Sequence, residues 1–199
     1  MQHLMEELEA SGTAQARKIY ANHGVGANQF GVSTAALRAI AKRVKRDHAA
    51  AQFLWASGNH DARCLACLLA DPAQATESEL EAWVRDLDNY IIGDAFSGYV
   101  TDTPHAHTLY PRWIAADDEW MEYAGWNVLG SLVYRGHPVP DDVVQRYLLM
   151  AEQHVHTAKN RVRHAMNAYI INVGLLDEPL RSMALETAER VGDVEVNHG

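Results

Sequence analysis

Leu87-Asp88-Asn89-Tyr90-Ile91-Ile92-Gly93-Asp94-Ala95-Phe96 lies near the middle of the 199-residue sequence, between apolar segments with helical spacing. Asp88 and Asn89 carry short polar side chains of the kind that cap helices, so a helix is predicted to begin there. Tyr90 and Asp94 are four residues apart, which places both side chains on one face of that helix. An acid beside an aromatic ring can stabilise a cationic or oxocarbenium-like species, so Asp94 is a candidate catalytic residue.

Helical periodicity continues on both sides of this stretch, and no segment has the alternation typical of a strand. Residues that commonly cap helices precede several apolar runs, namely Thr13, Ser33, and Asn59 or Asp61. Ser78 and Glu81 have the spacing of a capping box, which predicts a helix from Ser78 to Leu87.

The predicted helices are short, about 10 to 16 residues, and their pairs recur about every 35 to 45 residues, as in HEAT and armadillo repeats. Such a pair buries its apolar face only by stacking on its neighbours, which produces a concave surface. The sequence therefore predicts an all-α fold, a HEAT/armadillo-like α-α superhelix, that is, a solenoid of antiparallel helix pairs. We expect residues 1–199 to form a single domain of this kind.

Two segments lack helical periodicity. Residues 24–31 are rich in glycine but fit neither a dinucleotide fingerprint nor a P-loop, because no strand precedes them and no lysine follows in register. We expect a turn that passes close to other backbone. The composition changes again at residues 193–199, and we expect this tail to be frayed or to be part of a longer parent sequence.

The composition is that of an ordinary soluble protein, with 48% hydrophobic and 22% charged residues. A formal charge of −9 argues against a surface that is basic throughout, although it permits a local basic patch. The two cysteines, Cys64 and Cys67, lie in an apolar helical run and are predicted to be core residues in a reducing compartment. No run of about 18 apolar residues and no signal peptide is present, so we expect a cytoplasmic protein without a membrane partner.

The positive charge is concentrated in two places. After Ser33 an amphipathic helix is predicted to run to about Arg46, with Leu37, Ile40, Ala41 and Val44 buried. The other side of this helix is basic and carries Arg38, Lys42, Arg43, Lys45 and Arg46. A second patch consists of Lys159, Arg161 and Arg163. Each patch is either a solvated basic face or a surface that contacts phosphates.

Large rings are concentrated in the helix predicted over residues 119–134, which contains Trp120, Tyr123 and Trp126. Aromatic residues at helical spacing are usually core residues, and an exposed ring can instead bind a cationic nucleotide. The pairs His105-x-His107 and His154-x-His156 point to different helix faces and have no carboxylate in zincin register. We therefore expect no metal site.

Several stretches together resemble the DNA alkylation repair family of HEAT-like proteins (AlkD-like). They are Phe30-Gly31-Val32-Ser33, Leu54-Trp55-Ala56-Ser57-Gly58, Asp61-Ala62-Arg63, Trp83-Val84 with Leu87-Asp88-Asn89 and Asp94, and Asn160-Arg161-Val162-Arg163-His164-Ala165-Met166-Asn167. The resemblance covers nearly the whole chain. It implies a superhelix whose basic concave face takes duplex DNA, and excision of cationic 3- or 7-alkylated purines without metal or cofactor.

Asp94 matches the catalytic aspartate of that family, and Tyr90 stands where its glycosylases have tryptophan. Their arginine lies in a Trp-x-Arg-Arg-like stretch, where this chain has Trp120-Met121-Glu122-Tyr123. Their later tryptophan would fall near Ala168. The resemblance implies Asp94 as the electrostatic or general-base carboxylate. Predicted substrate-binding residues are Tyr90, Trp120, Tyr123, Trp126 and Asn167, and predicted contacts to the DNA backbone are Arg38, Lys42, Arg43, Lys45, Arg46, Lys159, Arg161 and Arg163.

Three functions follow from these observations. The first is a monomeric glycosylase that hydrolyses the N-glycosidic bond of alkylated purines in duplex DNA. The second is a non-catalytic HEAT-repeat module that binds nucleic acid. The third is a protein-interaction scaffold, which the net charge of −9 favours. Salt-dependent DNA binding separates the third from the others, and base release separates the first two.

Overall fold

Helices supply the regular secondary structure of this protein, of which the computed structural model describes residues 1–197. That range contains twelve α-helices and no strand, which confirms the predicted all-α class. None of these helices has both the length and the apolar character needed to span a bilayer.

The chain divides into two compact units, Met1–Pro104 and His105–Asn197. The first unit contains α1 (Gln2–Ser11), α2 (Ala14–Asn22), α3 (Thr34–Val44), α4 (His48–Ala56), α5 (His60–Leu69), α6 (Glu77–Val84) and α7 (Tyr90–Thr101). The second contains α8 (Ala106–Ile114), α9 (Glu119–Tyr134), α10 (Asp141–His154), α11 (Asn160–Gly174) and α12 (Leu180–Val191). A single domain over residues 1–199 stays a prediction.

Polar side chains start the helices where the sequence predicts them. The side chains of Thr13, Ser33, Asn59 and Asn89 each accept a hydrogen bond from the backbone amide three residues later. Such a bond satisfies one of the amides that a helix start leaves without a partner. These caps define the starts of α2, α3, α5 and α7.

The predicted capping box of Ser78 and Glu81 is wrong. Thr76 caps α6, because its hydroxyl accepts from the amide of Glu79 at 3.2 Å, and the helix ends at Val84. The carboxylate of Glu79 is engaged elsewhere, accepting from the side-chain amide of Gln52 at 3.0 Å. A threonine two residues upstream therefore replaces the serine as the cap.

Contacts in the second unit repeat with a constant spacing. Lys159 bonds Asp117, the amide of Arg161 donates to Glu119, and Asn172 donates to the carbonyl of Gly130, each pair 42 residues apart. The constant spacing means that α9 and α11 run parallel, as corresponding helices of successive repeats. In the first unit, corresponding contacts are closer in sequence. His60 and Asn89 are 29 residues apart, so the predicted spacing of 35 to 45 residues does not hold there.

Aromatic side chains form much of each core. In the first unit Trp55 and Trp83 stack with ring centroids 4.2 Å apart and planes 2° from parallel. In the second unit the fully buried ring of Trp126 packs against Tyr147 and Tyr169, with centroids 5.7 and 5.6 Å away. Burial of such large side chains is the main source of stability in helical arrays of this size.

The predicted tail is bonded to α11 over its described part. The amide of Asn197 donates to the side chain of Asn160, which in turn donates to the carbonyl of Asn197, both at 2.8 Å. Arg163 donates to the carbonyl of Glu195 at 2.8 Å. Residues 198 and 199 of the predicted tail lie outside the described residues.

Candidate functional site

Tyr90 and Asp94 line the same cavity, of about 450 Å³, in the first unit. Both are on α7, which Asn89 caps, and their spacing of four residues directs them to one face as predicted. Asp94 is exposed to solvent and Tyr90 is half-buried. The structure thus places an exposed carboxylate and a half-buried aromatic ring along one cavity.

The remaining walls of this cavity come from three other helices, α2, α3 and α5. Its lining is mostly apolar and includes Tyr20 of α2, Leu37 of α3 and Leu68 of α5. Arg38 of α3 also lines it, so a basic and an acidic residue border the same cavity. The sequence does not reveal this proximity, because the two residues are far apart along the chain.

The phenol of Tyr90 is oriented by a histidine. Its hydroxyl oxygen lies 2.9 Å from Nδ1 of His23, and the two rings meet edge to face with centroids 5.7 Å apart. His23 was not among the predicted site residues. No local pattern identifies it, since the partners are 67 residues apart.

A buried polar group supports the start of α7. The side-chain nitrogen of Asn89 lies 2.7 Å from the carboxylate of Asp88 and 3.4 Å from Nδ1 of His60. Burial lowers the pKa of His60 below its ordinary value of 6.5, although Asp61 and Asp88 act in the opposite direction. A neutral His60 can accept from Asn89 at Nδ1, which keeps the cap in place.

Neither cysteine has the properties of a nucleophile. Cys64 lines the cavity of Asp94, and burial raises the pKa of its thiol to about 12. Burial also raises the pKa of Cys67. Both thiols therefore stay protonated at neutral pH and pack as small core residues, as predicted.

Asp61 holds the glycine-rich loop that leads into α3. Its side chain is fully buried and accepts from the amides of Phe30, Gly31 and Val32 at 2.6, 3.0 and 2.8 Å. The loop also passes close to other backbone, as predicted, because the amide of Thr13 donates to the carbonyl of Gly31 at 3.0 Å. Asp61 is thus the anchor of the loop, while Asn59 is the cap of α5.

The basic side of α3 is open to solvent. Leu37 and Ile40 are buried on one side of the helix, and the five predicted DNA-backbone residues on and just beyond it, Arg38, Lys42, Arg43, Lys45 and Arg46, are all exposed. Arg43 pairs with Glu7 at 2.5 Å, and Arg46 lies 3.6 Å from Asp71. Exposed pairs of this kind contribute little to stability and can exchange partners.

The second basic patch is engaged within its own unit. Lys159 bonds the backbone carbonyl and the carboxylate of Asp117. The guanidinium of Arg163 donates to the carbonyls of Ala158 and Glu195, and the backbone amide of Arg161 donates to Glu119. Lys159 and Arg163 therefore help to hold the start of α11 and the tail in place.

The four predicted substrate-binding residues of the second unit differ in exposure. Tyr123 and Trp126 expose 1% and 0% of their surface, so their rings belong to the core. Trp120 and Asn167 are half-buried, and the ring of Trp120 meets that of Tyr123 edge to face at 5.8 Å. Of these residues, only Trp120 and Asn167 present surface to a ligand.

Known proteins resemble this chain over almost its whole length. The uncharacterized protein Lmo0209 of Listeria monocytogenes is 28% identical over 204 residues, covering 97% of this chain and 87% of that protein. The uncharacterized protein Lin0241 of Listeria innocua is 27% identical with the same coverage.

A solved structure gives the same result for the fold. It is described as "a new family of proteins related to the HEAT-like repeat DNA glycosylases with affinity for branched DNA structures". It is 31% identical to this chain, covers 98% of this chain and 85% of its own, and superposes with a TM-score of 0.92. The predicted HEAT-like repeat fold is thereby confirmed. Residues 4–193 match the family model described as DNA alkylation repair enzyme, and the chain therefore belongs to that family.

Proposed function

We propose that this protein binds DNA through phosphate contacts made by the basic side of α3. The observation that carries the proposal is a cluster of five exposed cationic side chains, three on α3 and two directly after it, in a protein whose net charge is −9. Phosphate contacts dominate the affinity of proteins for DNA, whatever the base sequence. A local cluster of this kind attracts DNA even when the rest of the surface is acidic.

Branched DNA is the proposed preferred form. The solved relative with a TM-score of 0.92 is described as having affinity for branched DNA structures. A surface that contacts phosphates without reading bases suits a junction, because several duplex arms bring their phosphates close together.

The test is to titrate the protein into a labelled four-way junction, and into a duplex of equal length, and to measure the binding constant at several salt concentrations. We expect the logarithm of the binding constant to fall linearly with the logarithm of salt concentration. Lys42→Glu should weaken binding and make this slope shallower by about one. Lys18→Glu on α2 is the matched control, because it makes the same charge change at another exposed position. If the wild-type protein binds neither DNA, or if both variants lose the same affinity, the proposal that α3 forms the DNA-binding surface is refuted.

A second candidate function is excision of a cationic alkylated purine, which the shared cavity of Asp94 and Tyr90 favours. A purine alkylated at a ring nitrogen is already a good leaving group, so catalysis mainly requires stabilisation of the positive charge that develops on the sugar. The carboxylate of Asp94 could supply this stabilisation, or orient water for attack at the anomeric carbon. The ring of Tyr90 could face the cationic nucleotide.

Release of 7-methylguanine or 3-methyladenine from duplex DNA tests this second function. We expect release by the wild-type protein and its loss in Asp94→Asn, which removes the charge and keeps the shape. The melting temperature of the same variant controls for folding, because Arg38 of the α3 surface shares the cavity with Asp94 and DNA binding could itself change. If the wild-type protein releases neither base above background, the proposed excision of these purines is refuted.

A further inference from the structure

The residue that ends α3 has an unusual backbone conformation. Lys45 has φ 67° and ψ −164°, a region that is essentially restricted to glycine because a Cβ atom is crowded there. Over residues 1–197, the other residues with positive φ are all glycines, namely Gly24, Gly31, Gly58, Gly136 and Gly192. Lys45 is therefore the one described position where a long side chain occupies a conformation suited to glycine.

Helix α12 ends in a nearly identical turn that is built with glycine. Gly192 has φ 65° and ψ −148°, and its amide donates to the carbonyl of Ala188 at 2.9 Å. The amide of Lys45 makes the equivalent bond to Ala41 at 2.8 Å. The turn itself thus requires no lysine, and local structure gives no reason for a side chain at position 45.

Contacts that flank the turn hold Lys45 in this conformation. The amide of Asp47 donates to the carbonyl of Leu69 at 2.9 Å, and the carboxylate of Asp47 caps α4 through the amide of Ala50. The guanidinium of Arg46, the next residue along the chain, lies 3.6 Å from the carboxylate of Asp71. The contacts of Arg46 and Asp47 therefore fix the direction of the chain after α3, and this direction imposes the strained conformation on Lys45.

We infer that Lys45 is a binding residue for a DNA phosphate, kept at a strained position for its ammonium group; this rests on the proposed DNA-binding function. Backbone strain of this kind persists where the surrounding structure imposes it and is concentrated at binding sites. Lysine binds phosphate as a point charge, which suits an exposed position at a helix end. A backbone already held in place loses less conformational freedom when the phosphate binds.

Comparison of Lys45→Gly with Lys45→Ala separates the effect of backbone strain from the effect of the ammonium charge, because both variants remove the charge and only glycine relieves the strain. Lys45→Gly should raise the melting temperature by about 3 °C, because glycine adopts this conformation without crowding. It should also make the salt dependence of DNA binding shallower by about 0.9. Lys45→Ala should produce the same change in salt dependence without the gain in melting temperature, since alanine keeps the Cβ atom. Lys42→Ala, within the unstrained helix, is the control that removes a charge and relieves no strain.

A more stable and more weakly binding Lys45→Gly protein supports the inference. A variant that is more stable and binds as tightly as wild type overturns it while leaving the proposed function intact. A variant with no gain in melting temperature overturns the argument from strain. Failure of the wild-type protein to bind either DNA form overturns the proposed function and this inference together, and is seen before any variant is compared.

Discussion

The hydroxyl oxygen of Tyr90 lies 2.9 Å from Nδ1 of His23, which joins the first turn of α7 to the segment that follows α2. The bond is partly buried, and the rings are nearly perpendicular, with an interplanar angle of 84°. Tyr90 also lines the cavity of Asp94, so the orientation of its phenol there depends on a residue from another helix pair.

A double-mutant cycle measures this interaction. Tyr90→Phe and His23→Phe each remove one partner and keep a ring, so each should lower the free energy of unfolding by about 1 kcal/mol. The double variant should lose little more than either single variant, because the two changes remove the same bond. Urea unfolding gives the three values. Fully additive losses would mean that the two side chains are energetically independent.

Asp61 is expected to be among the most important polar residues for stability. Asp61→Ala leaves three amides without their acceptor, two of them in buried bonds, and should cost about 4 kcal/mol of unfolding free energy. Asp47→Ala is the matched control, because that carboxylate accepts from a single amide at a helix start, and it should cost about 1 kcal/mol. Equal losses measured by chemical denaturation would refute the anchoring role of Asp61.

Two glycines with similar backbone angles should respond differently to alanine. Gly24 has φ +82° with nothing within 4 Å of an added Cβ atom, whereas at Gly31, with φ +76°, the Cβ atom would lie 2.7 Å from the backbone of both Thr13 and Arg17. Gly24→Ala should therefore cost about 1 kcal/mol, from the backbone angle alone. Gly31→Ala should cost at least about 3 kcal/mol, because backbone must also move. Thermal unfolding of the two variants is the measurement, and similar melting temperatures would contradict the close approach.

His60 should make the protein less stable as the pH falls below neutrality. Its pKa is lowered by burial, with Arg63 acting in the same direction and Asp61 and Asp88 opposing. His60 therefore binds a proton more readily in the unfolded state than in the folded state. The stability that neutral His60 contributes to the fold is complete above pH 6.5, and it is lost as the pH falls below that value. His60→Gln, which cannot titrate, should be less stable than wild type at pH 7.5, and the difference should narrow towards pH 5.

The control for that prediction is His3→Gln, which changes an exposed histidine. Unfolding free energies of the three proteins should be compared over the same pH series. A gap between wild type and His60→Gln that stays constant with pH would show that His60 does not contribute through its proton.

The amino-acid sequence by itself determined the helices, most of their starting points and the common face of Tyr90 and Asp94. These features depend on residues no more than four positions apart, as in the bonds of Thr13 and Asn89 to the amides three residues later. The prediction at Ser78 failed because Thr76 offers an equally good cap two residues earlier, with its hydroxyl 3.2 Å from the amide of Glu79.

Only the tertiary structure decided which predicted side chains remain available for binding. Trp126 lies in the core, and Arg163 is bound to carbonyl groups of its own unit, whereas Lys42 is exposed. Periodicity cannot separate these cases, because each depends on contacts between residues distant in sequence. For the same reason, the sequence did not reveal the contact between His23 and Tyr90, which are 67 residues apart, or the cavity that Arg38 and Asp94 share.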